Sequence, residues 1–326
     1  MSAPDADAKT LHIRCGSDIR QTLTEAGFAG DFLEYANPLC QGPVLPGDDW
    51  LVARARFIAG AYGAAGDVLA RLQADETALS AAASRYERVV MWFEHDHYDQ
   101  LILARCLDVF AGAQTPVLEL ISVADYPVEG RFRGLGQLRA EDLLCLWPGR
   151  MPVSAAALRA GRAVWPALRA ADPTGLAAFA PLFDPPHLGG AVRRHLQELP
   201  WTGDGLSLTQ RLVLQLVAEG PIRIGMVFHR LMEEREPLPW FGDIMLRAIV
   251  EDMKRTAVFT GAVDDGGQRW WRETLTIADA GRRVLMGTVD FLSLAPAERW
   301  VGGVAVRGDE PCWRWDERDG PNLVRR

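Results

Sequence analysis

Residues 92–100 read WFEHDHYDQ, and five side chains in this stretch can ligate a metal or move a proton: Glu94, His95, Asp96, His97 and Asp99. If the backbone is extended, His95 and His97 point to the same side and could chelate an ion. Asp96 and Asp99 could instead hold Mg²⁺ together with substrate phosphates. A reading without any ligand competes with both. Asp96 is a good N-cap for a helix starting near His97, and Asp99 then falls in the first turn, where the helix dipole favours a carboxylate; each effect contributes roughly 1 kcal/mol. No second cluster of His, Cys or acid is close in sequence, and His12, His187, His195 and His229 stand isolated. A structural metal is therefore not expected. His95, Asp96 and Asp99 are the catalytic candidates, with the reaction unknown and Mg²⁺ the cofactor to test. Glu94 and Gln100 flank them as ligand contacts.

Two further polar loops could share a ligand with this stretch. In CGSD, Gly16, Ser17 and Asp18 follow a strand and precede a helix, so they resemble a phosphate turn. The loop lacks a G-x-G-x-x-G pattern and a Walker lysine, and Asp18 would repel a phosphate unless a cation intervened. The second loop, NPLCQGP, offers Gln41, Gly42 and Pro43. No Ser-His-Asp set is readable, and Cys15 or Cys40 as a nucleophile would need a histidine partner that the sequence does not place.

The elements that must position these loops alternate. Leu11, Ile13 and Cys15 mark a first strand; Ser17 or Asp18 can cap a helix over IRQTLTEAG that ends at Gly27; GDFLEYANP is a second strand. Residues 51–85 are helical, RVVMWFE is a continuous apolar strand of the kind buried on both faces, YDQLILARCLDVFAG is a helix, and PVLELISV is a strand. This predicts a mostly parallel sheet between helices, a Rossmann-like three-layer α/β domain over residues 10–135, with ligands at the carboxyl ends of its strands. Residues 1–9 are expected to be a disordered tail. Residues 136–204 form a helical connector with no chemistry of its own, Ser154 capping one helix and Pro166 kinking or splitting it.

Residues 205–326 start with a capping box, Ser207 and Gln210, ahead of LTQRLVLQLVAEG. Three helices, then two strands around a DDGG turn and a short helix, give the order of a winged helix, followed by a C-terminal hairpin. The usual reading helix, DIMLRAIVEDMKRT, offsets its basic residues with Asp243, Glu251 and Asp252. The whole 326-residue chain carries a net charge of −8. Phosphate neutralisation dominates nucleic-acid affinity, so packing or partner contacts are expected of this module in preference to DNA. A protein partner or a homodimer fits it.

No apolar run approaches the ~20 residues of a membrane helix. The start, MSAPDADAKT, is too polar for a signal peptide. The five cysteines are scattered without a C-x-x-C pair, which fits buried thiols in a cytoplasmic protein.

The segments LHIRCGSD, NPLCQGPV, MWFEHDHYDQL, GLGQL, LSLTQRLVL, WFGD, RWVGGV and WRWD together resemble the bacterial family called domain of unknown function 1835, in its longer form with a winged-helix-like C-terminal region. The resemblance covers nearly the whole chain and implies no activity. Members of that family tend to have HDLYDQ where this chain has HDHYDQ, which sets His97 aside as a required group and marks His95, Asp96, Asp99 and Gln100. Two function classes stay open. One is a binding or regulatory protein for a small polar ligand, nucleotide or phosphate-like. The other is a Mg²⁺-dependent enzyme acting on a phosphorylated or nucleotide substrate with Asp96 and Asp99.

Overall fold

The computed structural model describes residues 2–112, 116–260, 269–308, 310–317 and 322–326. The first part alternates as expected: β1 (Thr10–Arg14), α1 (Arg20–Glu25), β2 (Asp31–Glu34), α2 (Trp50–Tyr62), α3 (Val68–Arg85), β3 (Arg88–Glu94), α4 (His97–Ala111), β4 (Val117–Val123), α5 (Ala140–Leu146) and β5 (Met151–Pro152). The sheet order is β2-β1-β3-β4-β5, with the first four strands parallel and β5 antiparallel at the edge. From β1 the chain builds outward in both directions, so the strand order reverses between β1 and β3.

Strand alternation covers both faces of the sheet. Val89, Met91 and Phe93 of β3 join a core with α3 and α4 residues such as Leu79 and Leu103, whereas Val90 and Trp92 pack with Ile19, Leu23 and Leu143 from the α1 and α5 side. The continuous apolar run of β3 is the sequence signature of this double burial.

Two expectations for the first residues are corrected. Residues 2–9 are no disordered tail: Asp5 is buried, accepting from His12 Nε2 (3.0 Å), Ala29 N (3.0 Å) and Gly30 N (2.8 Å), while Asp7 pairs with Arg88. Burial would raise the Asp5 pKa, but these donors outweigh it and hold the carboxyl well below its ordinary value. A Cβ at position 30 would sit 2.8 Å from the Asp5 carboxylate, so this latch needs glycine there. Neither Ser17 nor Asp18 caps α1, whose N-cap is Ile19 with no side-chain bond. The Asp18 carboxylate is engaged by Arg14 instead, at 3.1 Å from Nε and 2.9 Å from Nη2.

The chain continues through α6 (Ala155–Leu168), α7 (Thr174–Ala177), α8 (Leu188–Leu196), α9 (Leu208–Ala218), β6 (Ile222–Arg223), α10 (Ile224–Arg230), α11 (Asp243–Lys254), β7 (Phe259–Thr260), β8 (Thr274–Ile277), α12 (Asp279–Leu285), β9 (Arg299–Val301), β10 (Val304–Val306), β11 (Trp313–Asp316) and β12 (Asn322–Arg325). Ser154 caps α6 as expected, accepting from Ala157 N at 2.9 Å. Pro166 does not split this helix, which runs on to Leu168. The proline lies in the last turn, and only Ala167 and Leu168 follow it within the helix.

The helices of residues 136–204 do more than connect. α6 and α8 pack directly on α4. A Cβ at Gly161 would lie 2.3 Å from that of Leu107, so glycine permits the close α4–α6 approach. One apolar core runs from Leu11 through Leu107, Val164 and Leu196 to Trp315, crossing both expected domain boundaries.

In the last part, the Ser207 and Gln210 capping box is present at 3.0 and 3.2 Å. β6, β8 and β7 form a three-stranded antiparallel sheet, and β9–β10 and β11–β12 pair as two small antiparallel units. The expected DDGG turn lies outside the described residues. Among the described residues, no helix is long and apolar enough to cross a membrane.

Candidate functional site

β1 and β3 are neighbours, so their carboxyl ends bring Arg14 and Glu94 together beside the start of α4. Asp96 caps that helix, its Oδ1 accepting from Asp99 N at 3.0 Å, as the ligand-free reading expects. Asp99 does more than complement the helix dipole. Its Oδ2 accepts from Glu94 N at 2.6 Å and from Arg14 Nη1, and its Oδ1 accepts from the Cys15 thiol at 2.8 Å. Glu94 accepts from Arg14 Nη2 and from Leu135 N, the latter at 2.6 Å. Gln100 fixes the strand end by donating to Glu94 O at 2.5 Å.

A ligand oxygen from each of Glu94, Asp96 and Asp99 lies within 4.8 Å of the others. These groups, with Arg14, Cys15, Gly16 and Asp18, form the floor of an open pocket of about 410 Å³. Its opposite wall comes from the C-terminal part: Met232, Pro239, Trp240, Phe241, Gly242 and Met245, with Arg133 between the two sides.

The electrostatics are dominated by crowding of acids. Burial and the Asp99 charge push Glu94 up to about 8 in spite of the Arg14 guanidinium and the Leu135 amide. Burial, then Asp99 and Glu94, raise Asp96 well above the usual carboxylate range. Glu94, Asp96 and Asp99 offer hard carboxylate oxygens that fit a Mg²⁺- or Ca²⁺-type ion once they give up their protons. Burial raises the Cys15 thiol far above its ordinary pKa, which takes away the thiolate a nucleophile needs.

The three candidate loops do not share one pocket. Gly16 and Asp18 of CGSD meet Glu94, Asp96 and Asp99, but Ser17 is exposed outside the lining. Since α1 spans six residues and starts beside the Asp18 carboxylate, it offers no phosphate turn. Gln41 and Gly42 line a separate cavity of about 100 Å³ with Cys40, Glu198 and Arg299. The Pro43 carbonyl accepts from buried Arg54 at 3.3 Å, and Gln41 O accepts from the same guanidinium at 2.6 Å. Gln100 and His95 also lie outside the acidic pocket.

His95 and His97 form no chelating pair. The turn into α4 separates them: the His95 ring packs edge-on 6.2 Å from His187, while His97 lies 4.3 Å from Trp240 and 5.9 Å from His195. His12, which could have reached the site, is structural, accepting from Trp92 Nε1 and contacting Asp5. Sequence reasoning missed Arg14 and Trp240. Arg14 follows Thr10 and His12 on the polar side of an alternating strand, and Trp240 lies in WFGD; these were the available signals.

His97 and His195 are fully buried, with no hydrogen-bond partner for any of their four ring nitrogens among the described residues. Burial and the Arg194 charge outweigh Glu198 and push His195 down to about 4 from 6.5. Between these values the unfolded chain binds more protons, so this group's contribution is complete above pH 6.5 and is lost as the pH falls towards 4. The expected loss is about 3 kcal/mol at about 1.4 kcal/mol per unit. Urea titrations of the protein and of His195→Leu at pH 7 and pH 4.5 isolate it from the titrating carboxyls. The stability difference between the two proteins should move by about 2.4 kcal/mol in favour of the variant at pH 4.5, and a pH-independent difference would rule it out.

Comparison with family models, with curated proteins and with solved structures found no match.

Proposed function

We propose that this protein binds a small phosphorylated ligand, nucleotide-like, through a divalent cation held by Glu94, Asp96 and Asp99. The observation that carries the reading is the convergence of these buried carboxylates at the point where the strand order reverses, the crevice in which open α/β sheets hold ligands. A bare phosphate would meet mostly carboxyl groups here; a divalent cation neutralises them and supplies the attraction. The sheet with helices on both faces supports a Rossmann-like domain, and α9–α11 with β6-β8-β7 support a winged helix. The resemblance to domain of unknown function 1835 and a cytoplasmic location belong to the same proposal.

The winged helix is read as a packing element. Its third helix, α11, faces a cleft of about 500 Å³ whose other side is residues Gly60–Gly63 at the end of α2. Ile244, Arg247, Glu251 and Arg255 line that cleft, where Glu251, Asp252 and Glu298 offset its two arginines, a poor surface for a phosphate backbone.

Asp96→Asn tests the site with little cost to the fold, because asparagine also caps a helix. Mg²⁺ with ADP or ATP is expected to raise the melting temperature of the unaltered protein, EDTA to abolish the shift, and the variant to bind Mn²⁺ at least about tenfold more weakly. A nucleotide that stabilises equally in EDTA would sink the cation-mediated reading.

One observation favours an enzyme as the second reading. Burial, Asp99 and Glu94 all push the Asp96 carboxyl towards its protonated form, and the group lines the pocket, as a general acid would. Nucleotide turnover that disappears in Asp96→Asn would decide for it; binding without turnover keeps the binding protein.

A further inference from the structure

We infer that Trp240 donates a hydrogen bond to the cation-bound ligand, so that the C-terminal part completes the site built at the sheet edge. This rests on the cation-mediated reading above and adds what recognises the ligand once the cation is in place.

Trp240 lies in the segment between α10 and α11. Its ring packs on His97 at 4.3 Å and edge-on against Phe241 at 4.9 Å, which fixes its plane. The residue is 6 % exposed, yet its indole Nε1 finds no acceptor among the described residues. A buried N–H without a partner is costly, and native structures satisfy nearly all of them. An indole can only donate, so the missing partner is an acceptor.

Trp240 lines the same pocket as Glu94, Asp96 and Asp99. Those carboxylates are engaged at their own side of the pocket, with Asp99 and Glu94 taken by Arg14, Cys15 and backbone amides. Among the described residues no acceptor is left for the indole, and a bound ligand can supply one. A divalent cation over the carboxylates turns a surface that repels anions into one that holds an anionic oxygen, and a phosphoryl group offers several acceptor oxygens at once. The ligand class that fits both sides is a phosphoryl group bound to the cation, with one oxygen on the indole N–H.

Trp240 also borders the cavity of about 100 Å³ beside Cys40, where an internal water could serve as the acceptor. The experiment separates the two. Isothermal titration is run with Mn²⁺ alone and with ADP at saturating Mg²⁺, on the full chain and on Trp240→Phe, which keeps an aromatic ring and removes the N–H. Mn²⁺ affinity is expected to stay within a factor of two, while ADP affinity falls about tenfold or more. Trp240→Tyr, which restores a donor, should recover part of the ADP affinity and serves if the phenylalanine variant does not fold. Unchanged ADP affinity in Trp240→Phe, as an internal water predicts, overturns the inference. So does a parallel loss of Mn²⁺ binding, which would make the ring merely structural. If the unaltered protein binds no Mn²⁺, the cation reading itself fails, and that result is distinct from both.

Discussion

Arg14→Ala is expected to lower the unfolding free energy by about 3–5 kcal/mol, the range for removing one partner of a buried ion pair. Arg14 is 3 % exposed and is the only cation described in contact with Glu94 and Asp99, which are also buried. Taking it away leaves Glu94 and Asp99, both buried side chains, beside one another without their cation. Urea unfolding at pH 7 reads the effect. A loss below about 1 kcal/mol would show that the acids relax by holding protons, and would remove Arg14 as the organiser of the site. Millimolar Mg²⁺ is expected to restore part of the lost stability, because the emptied cluster favours a cation that binds only the folded chain. The triple change Arg14→Met, Glu94→Gln and Asp99→Asn removes the charges together and should cost less than Arg14→Ala alone, because no buried charge of that group is left without its partner.

A comparable loss is expected at an ion network outside the pocket lining. Arg194 of α8 donates to both oxygens of Glu236 (2.7 Å each), to Glu198 (2.7 Å) and to Thr209 Oγ1 (2.8 Å), and all four residues are buried. Arg194→Ala should cost about 3–5 kcal/mol by leaving Glu236 and Glu198 uncompensated. Since the apolar core is continuous across α8, the variant should still unfold in a single transition, with fluorescence and far-ultraviolet dichroism coinciding. Two separated transitions would show that the ion network, rather than the core, couples the last part of the chain to the sheet.

Much of the sheet was legible because β3 and α4 carry strong local signals: an unbroken apolar run, then Asp96 in cap position ahead of a helical pattern. The strand order was not legible, since nothing local to β1 or β3 says that β2 lies on the far side of β1. The pocket depends on that order. Asp96 and Asp99 both line the pocket, but nothing local to β1 shows that Arg14, 80 positions before Glu94, pairs with it. His95 and His97 misled for a geometric reason: alternation holds along a strand and ends at the first helical turn. Gln41, Gly42 and Pro43 looked like ligand contacts because glycine and proline mark loops of every purpose, and here buried Arg54 claims the backbone they expose. Residues 2–9 looked unstructured because their composition is polar, and composition cannot show that a single aspartate has three donors waiting for it.

The position of Trp240 and His195 bears on how such a protein could be shortened or recombined. The floor of the pocket is encoded before residue 100, its wall after residue 230, and the helix that seats His97 from behind lies between them. A gene fragment ending after β4 would carry every acid of the cluster and still lack the surface that faces them. The unit of inheritance for this pocket is therefore the whole span from β1 to α11.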